Sequence, residues 1–287
     1  MASDSVPGMT FYDIAFRKPY RLNSAAPNPW KARYALNFKG VPYNTYWTPM
    51  LDITSTRKSL GVPACRTFPD GSEYYTLPVL IDSTNGKVSK LGDSFDIAVH
   101  LDQTYPNSGA GQLLPDDVDL DYTCPIDISF NGPPLSDRPE WREQENYKPW
   151  VRFNDQIDNA FTLHVQLMGA GMKWDEEVEK DIMAQFAQRA GVDDFEKLQV
   201  RDKGGRNKLL GSLKDTLKDL AAMFGKHGDG PYLRGAKACY ADIIVGGWLR
   251  MMSVTLPEDE WAEVKGWYGG VFGRLHDSLQ REFGKVV

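Results

Sequence analysis

The chain has 287 residues, of which 33 are basic and 39 acidic, giving a formal net charge of −6 at pH 7. This length suits two ordinary domains or one large one, and the 41% hydrophobic content is normal for a globular protein in water. The acidic balance argues against nucleic acid or an anionic membrane as a partner, because both require a basic footprint.

The spacing of cysteines and histidines argues against two common kinds of site. Cys65, Cys124 and Cys239 lie far apart and show neither a disulfide framework nor metal-ligand spacing, which favours a reducing compartment. The four histidines share no ligand spacing, so we expect no metal. The N-terminus lacks a signal-peptide pattern, and residues 243–252, the most apolar late stretch, are too short to span a bilayer. These features predict a cytoplasmic protein that binds no membrane.

The first fifty residues contain two strand patterns with a helix pattern between them. Residues 10–15 form a short apolar and aromatic run that predicts a buried strand. Residues 43–47 alternate along the chain and predict a second strand. Between them Trp30, Tyr34 and Phe38 recur at intervals of four, as on one face of a helix.

The ends of this predicted helix carry their own signals. Asn28 is the predicted N-cap, and Pro29 occupies the favoured first helical position. Gly40 is the predicted C-terminal glycine. Strand, helix and strand over so few residues predict a βαβ unit.

A second group of elements follows a long connection. A short helix is expected over residues 52–60, and a third strand over residues 77–82. Asn85 and Gly86 form a two-residue hairpin signal, so residues 87–91 should pair antiparallel with that strand. From Gly92 the pattern becomes helical.

The remainder of the chain predicts a linker and then helices. Residues 107–143 are rich in Gly, Pro, Asp and Ser, so we expect a first domain over 1–106, a linker with an irregular insertion over 107–143, and an all-helical domain over 144–287. The expected helix faces are Trp150, Phe153, Ile157 and Phe161; Leu210, Leu213, Leu217, Leu220 and Phe224; residues 241–252; and Trp261, Val264, Tyr268, Val271 and Leu275, with Gly266, Gly269 and Gly270 as kink points.

This layout, an α/β domain followed by an all-α domain, resembles the glutathione transferases, whose first domain is thioredoxin-like. Residues 75–80 (YTLPVL) resemble the strand that starts with a cis-proline in thioredoxin-like folds. Asp93 and Ser94 resemble the acidic-Ser pair that holds the γ-glutamyl end of glutathione. Residues 26–40 look like the first helix of the fungal-specific transferases related to bacterial lignin β-etherases, and residues 231–242 look like the family's buried-helix motif.

The resemblance implies glutathione as a co-substrate, no metal, and a homodimer. A cis bond before Pro78 would turn the backbone of Leu77 outward, where it could pair with the cysteinyl backbone of glutathione like an added strand. Asp93 can meet an ammonium, while the helix N-terminus that it opens favours a carboxylate. The glutathione-binding residues implied in this way are Thr76, Leu77, Pro78, Asp93 and Ser94.

Two departures from the family pattern bear on function. Ala26 stands where related proteins usually carry a serine, so the thiol needs another hydrogen-bond donor. Asn28 with the helix N-terminus near Trp30 and Lys31 is the favoured source, and Ser24 is the second. Cys239 stands where the buried-helix motif usually has Ser or Thr, which predicts a poorer capping box.

The acceptor side of the site is less well determined by the sequence. Aromatic residues could line a pocket between the domains, although core packing is the alternative for each; the candidates are Tyr12, Tyr20, Trp47, Trp150 and Phe153. Cys124-Pro125 resembles the start of glutaredoxin-like transferases but lies in the linker, so disulfide reduction is disfavoured.

Three functions are therefore open. The first is an enzyme that conjugates glutathione to hydrophobic aromatic electrophiles, with β-aryl-ether cleavage as a further reaction of the same kind. The second is a ligandin-like carrier of glutathione and flavonoid-like or phenolic aromatics. The third is a transferase-like scaffold without chemistry. Ala26 favours the second and third, whereas the Leu77-Pro78 and Asp93-Ser94 pairs favour glutathione binding.

Overall fold

The computed structural model describes residues 8–68, 71–84, 86–126, 138–228 and 230–287. The strands are β1 (Met9–Ala15), β2 (Asn44–Pro49), β3 (Arg66–Thr67), β4 (Glu73–Tyr74), β5 (Val79–Asp82) and β6 (Ser89–Leu91). The first helices are α1 (Tyr20–Asn23), α2 (Pro27–Lys39), α3 (Ile53–Ser59) and α4 (Ser94–Thr104). The later helices are α5 (Pro139–Arg142), α6 (Lys148–Thr162), α7 (Gln166–Gly169), α8 (Glu179–Arg189), α9 (Lys203–Thr216), α10 (Lys218–Gly225), α11 (Tyr240–Thr255) and α12 (Glu258–Phe283).

The main sheet has four strands in the order β2-β1-β5-β6. β1 runs parallel to β2, with Thr10 opposite Asn44, and antiparallel to β5, with Tyr12 opposite Val79. β5 and β6 are antiparallel, as the hairpin signal predicted, although Asn85 itself lies outside the described residues. The predicted βαβ unit is confirmed. An α/β sheet region followed by helices is thus the fold.

α2 is buried almost all round, not on one face only. Its three buried cations are each paired with a carboxylate on another element. Lys31 reaches Asp158 at 2.6 Å, Arg33 reaches Asp13 at 2.7 Å, and Lys39 reaches Asp102 at 2.7 Å. A buried charge is tolerated only when it is paired and hydrogen-bonded, so these pairs fix where α2 lies against β1, α4 and α6.

The prediction that Asn28 is the N-cap of α2 was wrong. The helix begins at Pro27, and Ala26 is the N-cap, without a side-chain hydrogen bond. The first residues of a helix need no N–H because they have no intrahelical acceptor, so Pro27 fits the first turn as well as Pro29 does. Asn28 therefore lies inside the first turn.

The long leucine pattern from Leu210 to Phe224 predicted one helix, but the structure divides it at Leu217. The hydroxyl of Tyr268 donates to the carbonyl of Lys214, and the hydroxyl of Tyr122 donates to that of Thr216 at 3.0 Å. Outside donors thus take carbonyls that a continuous helix would use for its own bonds. The apolar periodicity persists across the break because both halves pack on the same core.

The last two helices follow the predictions more closely. α11 is buried over most of its length, and its capping box forms even with Cys239 at the cap, because the Asp242 carboxylate accepts from the Cys239 N–H at 2.7 Å. α12 is kinked over residues 267–270, where Gly269 and Gly270 have φ of 71° and 83°. Glycine adopts this left-handed backbone without steric cost, which explains the predicted kink point.

Candidate functional site

A cavity of about 350 Å³ lies between the sheet region and the later helices. The sheet side contributes the start of α2, together with Thr76 and Leu77 just before β5. The helical side contributes aromatic and charged side chains, among them Trp174, Phe186 and Arg189. A volume of this size suits a small organic ligand, for which cavities run from about 300 to 1,000 Å³.

At the start of α2, Asn28 is the residue that presents hydrogen-bond donors to this cavity. Pro27, Asn28 and Pro29 all line it, and the two prolines carry no N–H. The Trp30 N–H donates to the Ala26 carbonyl at 3.2 Å, so it is not free, contrary to our expectation for the first turn. Asn28 retains an N–H and a half-buried side-chain amide, neither bonded to any described residue. An electron-rich atom placed here would meet Asn28 and the positive end of the helix dipole.

Ser24, the second candidate donor, does not line the cavity. It is 1% exposed, and its hydroxyl has no hydrogen-bond partner within the described residues. Its carbonyl accepts from the Trp30 indole N–H at 2.8 Å, and its own N–H donates to the Tyr20 carbonyl at 2.7 Å. Ser24 thus joins α1 to α2. Asn28 is therefore better placed than Ser24 to donate to a ligand in the cavity.

Leu77 offers an unpaired stretch of backbone at the cavity wall. The Leu77–Pro78 peptide bond is cis, as the resemblance implied. Neither the N–H nor the C=O of Leu77 bonds to another described residue, whereas pairing of β1 with β5 resumes at Val79. An unpaired N–H and C=O side by side are what an extended peptide needs in order to add itself to a sheet edge.

Asp93 caps α4 and keeps one carboxylate oxygen available. Its Oδ1 accepts from the Phe95 N–H at 2.9 Å, the Asp96 N–H at 3.1 Å and Arg142 Nη2 at 3.1 Å. Within the described chain Oδ2 accepts from nothing. Asp93 and the neighbouring Ser94 are both buried, and like Pro78 they lie outside the lining of the cavity.

Arg57 holds the Leu77 segment and the Asp93 segment together. It is fully buried on α3, and its Nη1 donates to the carbonyl of Thr76 and, at 2.9 Å, to that of Gly92. Its Nε donates to the Pro63 carbonyl at 2.9 Å. The guanidinium therefore fixes the residues immediately before Leu77 and Asp93. No sequence pattern indicated this role, because a charged residue on a short helix is ordinarily expected to be solvent-exposed.

Acidic groups surround Arg142 beside the start of α4. Burial by itself would lower the pKa of Arg142, but Asp93, Asp96 and Asp155 together raise it. Desolvation raises the pKa of the Asp155 carboxyl, against the lowering effect of Arg142. The start of α4 thus lies in a mixed cluster of one cation and several carboxylates.

The structure does not bring the five predicted aromatic residues to the cavity. Tyr12 packs on Tyr46, and Tyr20 packs on Trp47, with ring centroids 5.1 and 5.2 Å apart. Trp150 and Phe153 are buried in the core, because the apolar stripe that reveals α6 is the face that packs inward. Within the described ranges, the aromatic residues that do line the cavity are Phe16, Tyr74, Trp174, Phe186 and Trp248.

Three charged side chains line the cavity within the described ranges. Asp158 is engaged, since it accepts from Lys31 Nζ and from the Trp248 indole N–H, both at 2.6 Å. The side chains of Arg66 on β3 and Arg189 at the end of α8 have no hydrogen bond or ion pair to any described residue. Among the described residues, the cavity therefore carries two unsatisfied cations, and the one carboxylate that lines it is already engaged.

The described residues contain no cluster of three or more His, Cys, Asp or Glu side chains suited to a metal ion. No helix in them is both long and apolar enough to cross a bilayer.

Comparison with known proteins gives a consistent family. The family model described as glutathione S-transferase, N-terminal domain, matches residues 25–104, and that described as glutathione S-transferase, C-terminal domain, matches residues 189–281. The chain is 27% identical over 282 residues to the glutathione S-transferase-like protein ustS of Aspergillus flavus, covering 94% of this chain and 89% of that protein.

Solved structures extend the likeness to the whole fold. A glutathione S-transferase of Ceriporiopsis subvermispora in complex with glutathione is 26% identical, with a TM-score of 0.72 and 98% of each chain covered. A glutathione transferase from Phanerochaete chrysosporium is 22% identical, with a TM-score of 0.73 and 99% of each chain covered; it supports the fold alone.

Proposed function

The chain belongs to the glutathione transferase family, and we propose that it binds glutathione in the cavity and transfers it to a hydrophobic aromatic electrophile. The observation that carries this proposal is that two sets of polar groups without hydrogen-bond partners among the described residues line the same cavity. The bare backbone of Leu77 suits the cysteinyl backbone of glutathione, and the donors of Asn28 suit its sulfur. The likeness to the Ceriporiopsis enzyme, whose structure contains glutathione, supports the same ligand.

The two ends of glutathione find complementary groups on either side of Leu77. Asp93 Oδ2 would accept from the γ-glutamyl ammonium, and the N-terminus of α4 at Ser94 would receive the γ-glutamyl carboxylate. Arg66 would pair with the glycyl carboxylate, because it is an unsatisfied cation in the same cavity as Thr76 and Leu77. Sequence reasoning missed Arg66, whose strand has only two residues.

The chemistry is a nucleophilic displacement by sulfur. The thiol loses its proton to solvent, the thiolate forms a bond to the electrophilic carbon, and the leaving group departs with its electron pair. A donor to a thiolate contributes about 1.5–3 kcal/mol, equivalent to about one to two pKa units. Asn28 and the end of α2 would supply that stabilisation, and the aromatic wall of the cavity would hold the acceptor. Cleavage of an aryl ether would follow the same steps, with the carbon–oxygen bond broken and an aryloxide as the leaving group.

A second function, a ligandin-like carrier with little turnover, is favoured by one observation. Ala26 occupies the N-cap of α2 and has no hydroxyl to activate a thiol. Such a carrier would hold glutathione and a phenolic or flavonoid-like aromatic in the same cavity.

Thermal shift followed by a conjugation assay separates these functions. We expect glutathione to raise the melting temperature, and we expect turnover of 1-chloro-2,4-dinitrobenzene. A shift without turnover would select the carrier, and no shift would exclude both.

The homodimer and the division into domains at 1–106, 107–143 and 144–287 remain proposals. A monomer mass in light scattering at micromolar concentration would refute the dimer.

A further inference from the structure

Among the described residues, the guanidinium of Arg189 contacts only aromatic rings. Its guanidinium carbon lies 4.8 Å from the ring centroid of Tyr74 and 5.7 Å from that of Phe186. Its Nε is buried without a hydrogen-bond partner, and the side chain forms no ion pair with any described residue. Contacts with ring faces leave the N–H donors in the plane of the guanidinium unused. Two of these donors can bind the two oxygens of a carboxylate at once.

A second unsatisfied donor lies on the same wall. Trp174 is 2% exposed and stacks on Phe16, with ring centroids 4.5 Å apart and planes 15° from parallel. It also packs against Phe186 at 5.7 Å. Its indole N–H is buried without an acceptor among the described residues, an arrangement that is unfavourable unless a ligand supplies one.

The charge balance of the cavity indicates what that ligand is. Asp158, the one carboxylate that lines the cavity in the described part of the chain, is already engaged by Lys31 and Trp248. The glycyl carboxylate of glutathione accounts for a single cation, assigned above to Arg66. The second substrate would therefore supply the hydrogen-bond acceptor for Arg189 and for the Trp174 N–H.

We propose that Arg189 and Trp174 make this site selective for aromatic acceptors that carry a carboxylate, so that the second substrate is an aromatic acid rather than a neutral aromatic. This inference rests on the proposed transferase function. The acceptor ring would lie against Phe16, Trp174 and Phe186, and its carboxylate would receive the guanidinium fork.

A matched pair of electrophiles isolates the carboxylate. 4-Chloro-3,5-dinitrobenzoate and 1-chloro-2,6-dinitrobenzene differ only in that group. With either compound the thiolate forms a carbon–sulfur bond, chloride leaves with its electron pair, and the thiol proton goes to solvent. The ratio of their kcat/KM values, each divided by its uncatalysed rate constant, measures the selectivity of the site.

The first test compares wild type with Arg189→Gln and with Lys180→Gln. Lys180 is exposed on the same helix and does not line the cavity, so its variant controls for the loss of one charge. We expect Arg189→Gln to lower kcat/KM for the carboxylated electrophile roughly 10- to 100-fold, with the neutral electrophile and the KM for glutathione changed less than about twofold. Lys180→Gln should leave the ratio unchanged. Equal losses on both electrophiles, or a loss confined to the KM for glutathione, would overturn the proposal.

A second test is independent of turnover. Calorimetry with the unreactive 3,5-dinitrobenzoate and 1,3-dinitrobenzene should show tighter binding of the acid, and Arg189→Gln should abolish that preference. If no conjugation occurs but this preference persists, the proposed catalytic function fails while the acid site stands. If the two compounds bind equally to wild type, or if the variant keeps the preference, the acid site is refuted.

Discussion

Replacement of Arg57 by methionine is expected to lower the free energy of unfolding by about 3–5 kcal/mol. Each hydrogen bond from a charged donor contributes about 1.5–3 kcal/mol, and the guanidinium donates to the carbonyls of Pro63, Thr76 and Gly92. The loss is smaller than their sum because methionine removes the cost of burying a charge. Urea unfolding followed by circular dichroism measures the difference.

Lys58→Met is the matched control for this experiment. Lys58 is adjacent on α3, but its side chain is 58% exposed, and its contact with Glu73 is a 4.0 Å surface pair. Such a pair contributes at most about 1 kcal/mol. If Arg57→Met unfolds within about 1 kcal/mol of this control, Arg57 does not hold the two segments together.

Asp93→Asn is expected to weaken glutathione binding by roughly 10- to 150-fold. The amide oxygen of asparagine can still accept from the Phe95 and Asp96 N–H groups, so the cap of α4 survives. What is lost is the charge that Oδ2 offers to an ammonium, a charged hydrogen bond of about 1.5–3 kcal/mol. Isothermal calorimetry measures the affinity.

N-acetylglutathione, which lacks the ammonium charge, is the matched ligand for this variant. Wild type should bind it more weakly than glutathione, whereas Asp93→Asn should scarcely distinguish the two ligands. Unchanged affinity of the variant for glutathione would remove Asp93 from the site. An equal loss for both ligands would mean that the substitution acts through Arg142 or through the cap, not through the ammonium.

Much of the fold was predictable because its signals are local. The strand at β1, the turn before β6 and the apolar stripe of α6 each depend on residues close in sequence. The position of Asn28 was predicted less well, since Pro27 and Pro29 are equally good first-turn residues and the sequence does not choose between them. The break at Leu217 depends on hydroxyls from Tyr122 and Tyr268, which no local pattern reveals.

The site was predictable only where a motif marks it. Leu77, Pro78 and Asp93 were predicted from their resemblance to a family pattern, and of the three only Leu77 lines the cavity. Arg57 and Arg189 are not, because their roles come from carbonyls and rings distant in sequence. The aromatic wall was misplaced for a related reason. Periodicity detects the side of a helix that packs in the core, and the side that lines a cavity bears no such mark.

We propose that the first turn of α2 promotes ionisation of the thiol of bound glutathione through Asn28. The direct measurement is the ultraviolet absorbance of the thiolate in the glutathione complex as a function of pH. A free thiol titrates near pH 8.5, and we expect a bound value about one to two units lower. Asn28→Ala should reverse most of that shift, whereas Ser24→Ala should leave the pKa in place. A bound thiol that titrates near 8.5 in wild type, or a shift that survives in Asn28→Ala with glutathione still bound, would contradict the claim.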